Sequence, residues 1–250
     1  MKILIVTVAG MSSRFSESLG YPCLKCLYNE GGFEESLLYR LVNQPYRFDL
    51  YVIVGGFRYE ELARAVRENF KELKDRILLV ENRHYAEYGS GYSLYAGLER
   101  IRDMEFDEVV FAEGDLFVDG ESFQKVCNAP GSVITCSREA ILAEKAVVFY
   151  TDQAYGIHYL YDTEHRFLEV REPFRGMFHS GQIWKFADRE RLYKAVSSTR
   201  REEWQGTNLV LVQKYFEMLR REEYEIITFR DWINCNTVSD YRKMKEGGGK

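Results

Sequence analysis

Residues 3–14 read ILIVTVAGMSSR, and the fold turns on how this stretch is taken. Ile3 to Ala9 is a continuous apolar, β-branched run, the signature of a strand buried on both faces. The run stops at Gly10, and the chain then offers Ser12, Ser13 and Arg14 before it reaches Lys25. A strand covered on both sides needs helices on both sides, so strand and helix should alternate after it. They do. Residues 34–44 (EESLLYRLVNQ) carry helical spacing, and 50–54 (LYVIV) repeat the buried-strand run. Residues 59–70 are amphipathic and lead into the strand 77–81 (ILLVE). A further helix runs from Tyr92 or Ser93 to about Arg102, before the strand 108–114 (EVVFAEG). Repetition of strand, loop and helix implies parallel strands joined by right-handed crossovers.

Beyond this point the pattern changes. AVVFYT (146–151), GIHYLYD (156–162) and RFLEVRE (166–172) alternate apolar and polar residues, which predicts antiparallel hairpins. Helical spacing returns at 188–197 and 208–222, followed by a strand at 225–229 and a closing helix in VSDYRKMKEG. The expected architecture is α/β: a Rossmann-like, mostly parallel sheet flanked by helices, with a small antiparallel sheet inserted at about 144–186. No internal repeat or Pro- or Ser-rich linker interrupts the chain, so a single domain over 1–245 is expected, with 246–250 as a flexible tail.

The composition, 46% hydrophobic and 29% charged over 250 residues, is that of a globular protein with a large core. A net charge of -5 argues against non-specific nucleic-acid or anionic-membrane partners, while leaving room for a local cationic pocket. No apolar run is long enough for a membrane span. Five scattered cysteines predict reduced thiols and a cytoplasmic setting. The Cys23/Cys26 pair has no second pair to complete a zinc site.

In an open α/β sheet ligands bind beyond the carboxyl ends of the strands. The loop Ala9-Gly10-Met11-Ser12-Ser13-Arg14 could bring backbone and hydroxyls to a phosphate, with Arg14 and Lys25 adding charge-assisted contacts. It matches neither the P-loop nor the dinucleotide fingerprint, and an ordinary turn with two solvated cations would look the same. Asp115, in AEGDLFVD (112–119), follows a buried strand directly and suits Mg²⁺, which needs few protein ligands when phosphates supply the rest. Glu113 lies beside it, and Asp119 reads as a helix cap. Asn236, in NCNT (234–237), offers an amide oxygen to a metal or forms an Asx-turn. Gly89, Ser90 and Gly91, in YGSGYSLYAGL (88–98), could admit a flat base or simply start a helix. Lys145, Tyr92, Arg171 and His179 are the candidates for an acceptor phosphate or its substituent.

Taken together these stretches resemble the nucleotidyltransferase superfamily of sugar-1-phosphate and choline-phosphate nucleotidyltransferases, with a MobA-like NTP-transferase fold. AGMSSRF and LKCL stand where that family has A-G-x-G-S-R and P-K-x-L. GSGYSLYAGL is similar to its base loop, EGDLFVD to its G-D motif, and WINCNTVSDY to its closing motif. The Y-S-L variant is closest in look to bacterial phosphocholine-type cytidylyltransferases. The resemblance spans nearly the whole chain, with Met11, Leu24 and Asn236 as departures. It implies a Mg²⁺-dependent enzyme joining an NTP, CTP favoured, to a phosphorylated small molecule. In that scheme Lys25, Arg14 and Asp115 are catalytic, and Asp115 and Asn236 bind the metal. The alternatives are a GT-A-type glycosyltransferase, or a nucleotide-binding regulatory homologue without turnover.

Overall fold

The computed structural model describes residues 1–143, 147–160 and 167–247. Strands β1 (Lys2–Val8), β2 (Leu50–Gly55), β3 (Ile77–Glu81) and β4 (Glu108–Glu113) run parallel, with β1 between β2 and β4. After them come β5 (Leu116–Val118), β6 (Ser132–Cys136), β7 (Val148–Asp152) and β8 (Ile157–Tyr159). The chain ends with β9 (Phe174–Phe186), β10 (Tyr224–Thr228) and β11 (Trp232–Asn234). The main sheet has the order β10-β6-β9-β4-β1-β2-β3, with β9 antiparallel to both of its neighbours. A separate pair, β5 with β11, is antiparallel. The architecture is therefore Rossmann-like α/β, as the opening run predicts.

Both faces of β1 are dry because its alternate residues enter different cores. Ile3 and Ile5 pack with Leu94, Leu98, Phe111 and Trp184, whereas Leu4, Val6 and Val8 pack with Leu38, Leu62, Ile53 and Phe123. The first core is covered by α4 (Ser90–Arg100), α6 (Arg189–Ser198) and α8 (Leu209–Phe216). The second lies under α2 (Leu37–Val42), α3 (Tyr59–Asn69) and α5 (Gly120–Asn128). Two short helices, α1 (Ser13–Leu19) and α7 (Arg201–Trp204), and the closing α9 (Val238–Gly247) complete the described chain. Among the described residues, no helix is long and apolar enough to cross a membrane.

Three expectations need correction. The segment 144–186 is not wholly an insertion. The first half of β9 pairs with β7, but Ile183–Phe186 lie between β4 and β6 in the main sheet. Those residues are buried on both faces, so the strand changes sheets where a second covering layer becomes available. RFLEVRE does not form a hairpin strand over its described part, residues 167–172, and Phe167 is 65% exposed. Alternation alone does not make a strand without a neighbour to complete the ladder. The final helix also extends through Gly247, so 246 and 247 are helical, and 248–250 lie outside the described residues.

One cation is buried in this framework. Lys185 on β9 is 1% exposed, and its Nζ meets Glu108 Oε2 at 2.7 Å. It also donates to the carbonyls of Cys127 and Ala129, at 3.1 and 2.7 Å, where the orphaned acceptors at the end of α5 need a donor. Removing one member of such a pair strands the other charge. Lys185→Met should therefore cost about 3–5 kcal/mol in urea unfolding, and a loss below about 1 kcal/mol would show that Glu108 finds water or Lys2 instead.

Candidate active site

The carboxyl ends of β1, β3 and β4 open on a cavity of about 270 Å³. Its first wall is the loop after β1. Ser12 takes a left-handed conformation (φ 55°), and its carbonyl accepts the Ser16 N–H at 2.8 Å to start α1. Its hydroxyl accepts the backbone N–H of Lys25 at 3.3 Å, which ties the loop to the segment carrying the second cation. Leu24 is buried in the second core and anchors that segment from below.

The floor is the end of β4. Gly114 is required there because a Cβ would stand 2.2 Å from Val8 Cγ1 and 2.9 Å from the Thr7 carbonyl. Close passage against β1 aims Asp115 into the cavity, where Lys25 Nζ meets its Oδ2 at 2.7 Å. Asp115 Oδ1 is buried and has no hydrogen-bond partner. The Asp115 carbonyl accepts the Cys235 N–H at 2.8 Å, which sets Asn234 and Asn236 alongside.

Glu113 is held from two sides by carboxamides. Asn208 Nδ2 donates to Oε1 at 2.7 Å and Gln182 Nε2 to Oε2 at 2.6 Å. Burial, reinforced by the charge of Asp115, pushes its carboxyl up to about 7 despite those donors. At the far end, after β3, buried Asn82 donates to Ser93 Oγ at 3.0 Å and accepts the His84 N–H at 2.9 Å. Tyr85 and Tyr88 complete that wall.

The cavity gathers Ala9, Gly10, Ser12, Lys25, Gly89, Ser90, Glu113 and Asp115 from the residues singled out in the sequence. Arg14 is outside its lining, at the rim, where Nη2 donates to Asn236 Oδ1 at 2.9 Å. Met11, 49% exposed, and Ser13 are also outside it. Gly89 and Gly91 open α4 in close contact with the segment before α8. Their N–H groups donate to the Gln205 and Gly206 carbonyls at 2.7 and 3.0 Å, and a Cβ on Gly89 would stand 2.3 Å from the Gly206 oxygen. The close approach of two backbones explains these glycines.

Of the acceptor candidates among the described residues, none lines the cavity. Tyr92 packs against His84 and Tyr88. Arg171 pairs with Glu169 at 2.9 Å. His179 is buried, contacts Ser137 Oγ at 3.0 Å, and meets the Trp232 ring edge-on, with burial lowering its pKa. Lys145 lies outside the described residues. Asn236 does not cap α9; the Thr237 hydroxyl and Asp240 carboxylate do, through the Asp240 and Thr237 N–H groups. Among the described residues, no three His, Cys, Asp or Glu side chains cluster as a metal site. The orphaned Asp115 Oδ1 instead suits a cation that takes most of its ligands from phosphates.

Sequence reasoning overlooked Asn82, Gln182, Asn208 and Asn234. Asn208 carried a signal, since it opens a helical run as a cap would, but its side chain crosses to Glu113 instead. The others have none beyond being polar.

A family profile described as "Domain of unknown function (DUF6564)" matches residues 21–247. No curated protein sequence matches the chain. Among solved structures, the inositol-1-phosphate CTP transferase from T. maritima superposes with a TM-score of 0.66 at 17% identity, covering 99% of this chain and 97% of that one. The CTP:phosphocholine cytidylyltransferase from Streptococcus pneumoniae gives 0.67 at 16%, covering 98% of both chains. A UDP-glucose pyrophosphorylase complexed with UDP-glucose gives 0.68 at 11%, covering 99% of this chain and 98% of that one. The chain has the nucleotidyltransferase fold, as its motifs lead one to expect.

A raised carboxyl has a defined consequence for stability. Glu113 binds its proton more tightly folded than unfolded, so its contribution is full below about 4.5 and is lost as pH rises through about 7. Glu113→Gln should remove that loss, so its unfolding free energy should gain on wild type across this interval. Parallel urea titrations from about pH 4.5 to 8 check this, and curves that stay parallel would mean that Glu113 titrates normally.

Proposed function

The chain belongs to the DUF6564 family, and we propose that it joins a nucleoside triphosphate, CTP by preference, to a phosphorylated small molecule with release of pyrophosphate. The observation that carries this is the Lys25–Asp115 pair at the strand ends, with one Asp115 oxygen buried and unpartnered. An acceptor phosphate oxygen forms a bond to the α-phosphorus while the bond from that phosphorus to the bridging oxygen of pyrophosphate breaks. Such transfers depend on positioning and charge rather than on a protein nucleophile. Lys25, paired with Asp115 in this structure, would supply an ammonium to the α-phosphate as charge builds there. Arg14, at the rim, neutralises the outer phosphates. Asp115 Oδ1 and the Asn236 amide oxygen would hold Mg²⁺, which offsets the charge of the leaving pyrophosphate.

CTP is favoured by the Y-S-L loop and by the CTP-using enzymes among the structural neighbours. A GT-A glycosyltransferase would call on a D-x-D pair, whereas this chain has Glu113-Gly114-Asp115, with Glu113 already held by Asn208 and Gln182. Asp119 is not available, because it accepts the N–H groups of Ser122, Arg230 and Asp231 and caps α5.

A pyrophosphate-release screen of four nucleoside triphosphates against phosphorylated acceptors tests the proposal, with CTP expected to lead. CTP binding without product from any acceptor would favour a regulatory role. Asp115→Ala should abolish turnover, and activity within a few-fold of wild type at saturating Mg²⁺ would remove it from the mechanism. Lys25→Ala should lower turnover by roughly 10²–10³, as for other donors that act mainly in the transition state. Arg14→Ala should mainly weaken nucleotide affinity. If Lys25→Ala raises only the Michaelis constant, Lys25 is a binding contact and its assigned role is wrong.

A further inference from the structure

Between Arg14 and Glu113 runs a file of three carboxamides, all pointing the same way. Arg14 Nη2 donates to Asn236 Oδ1 at 2.9 Å, and Asn236 Nδ2 donates to Asn234 Oδ1 at 3.0 Å. Asn234 Nδ2 donates to Gln182 Oε1 at 3.2 Å, and Gln182 Nε2 donates to Glu113 Oε2 at 2.6 Å. The two ends set the direction. A guanidinium only donates, and Glu113 accepts at both oxygens, from Gln182 and from Asn208, so turning any amide over places two donors or two acceptors face to face.

Direction matters because residue 236 is an amide and not a carboxylate. A carboxylate presents an oxygen whichever way it turns, whereas an asparagine does so in only one of its two orientations. In this structure the oxygen faces Arg14 and the NH₂ group faces Asn234. Gln182 is the member that spans the elements, and it is held at an unfavourable φ of 54° while only 5% exposed. A non-glycine residue persists in that conformation only where its surroundings demand it.

We propose that Gln182 and Asn234 are positioning residues, which pass the accepting contact of Glu113 along the file so that Asn236 presents its oxygen, not its NH₂ group, to the nucleotide-bound cation. This rests on the reading of the site as a metal–nucleotide site. It also identifies the test background. A carboxylate at position 234 accepts from Asn236 without any help, so Gln182 should matter only when residue 234 is asparagine.

The experiment is a double-mutant cycle of Gln182→Met and Asn234→Asp with two readouts. The first, side-chain amide hydrogen exchange by NMR, needs no nucleotide. Gln182→Met should speed exchange of the Asn236 NH₂ group by about fivefold, the equivalent of one lost hydrogen bond. In the Asn234→Asp background the same substitution should leave that group protected. The second is Mn²⁺ affinity in the presence of CTP, read by electron paramagnetic resonance. There Gln182→Met should weaken binding by about fivefold when Asn234 is intact, and by about twofold or less in the Asn234→Asp background. Equal costs in both backgrounds would overturn the file as an orienting device. If wild type binds no Mn²⁺ with any of the four nucleoside triphosphates, the reading of the site fails and the inference falls with it. Should Gln182→Met not fold, Glu113→Gln replaces it, since an amide at 113 no longer fixes the direction. Unchanged Asn236 protection in folded Glu113→Gln would sink the proposal.

Discussion

Two carboxylates, Glu113 and Asp115, leave the end of β4 with a single glycine between them and face the same crevice, and their mutual repulsion organises everything around them. Each is balanced by a different means. Asp115 has an ammonium, Lys25 Nζ, against one oxygen. Glu113 is held by two carboxamide donors rather than by an ion pair, and burial, with the charge of Asp115, raises its affinity for its proton in spite of them. An ion pair half out of water adds little net stability, since desolvation cancels most of the attraction. Lys25 and Asp115 are therefore poorly explained as a staple and better explained as opposite charges awaiting other partners.

The same crevice explains the distribution of amides. Asn234 and Asn236 stand beside Glu113 and Asp115, where two further carboxylates would deepen the repulsion. Amides lower the charge but bring a handedness that carboxylates lack. The ordered file from Arg14 to Glu113 is the structural answer to that handedness.

How much of this was legible depended on whether the determinant was local. The run Ile3–Ala9 announced a strand dry on both faces, and its alternate residues do enter two cores. Lys25 and Asp115 were legible as candidates because each follows a recognisable strand or loop, and the structure brings them to 2.7 Å. β9 was not legible, because it borrows one partner for its first half and two others for its second. Gln182 was hidden for the same reason, and the described acceptor candidates on the antiparallel side lie away from the cavity. The close approach of Gly89 to Gly206 was not legible, because it appears only when residues far apart in sequence meet.

The lateness of β9 also has a bearing on biosynthesis. Emerging from the ribosome, β1 to β4 are made in order, yet β4 keeps an open edge until residues 183–186 arrive to pair with it. That edge belongs to the strand Glu108–Glu113, apolar from Val109 to Ala112, the kind of surface that recruits other nascent chains. For the time needed to translate the intervening segment, the half-made protein is a substrate for chaperones or for aggregation. Slowing elongation between β4 and β9 would lengthen that window, so codon usage across this stretch should affect soluble yield more than codon usage after it.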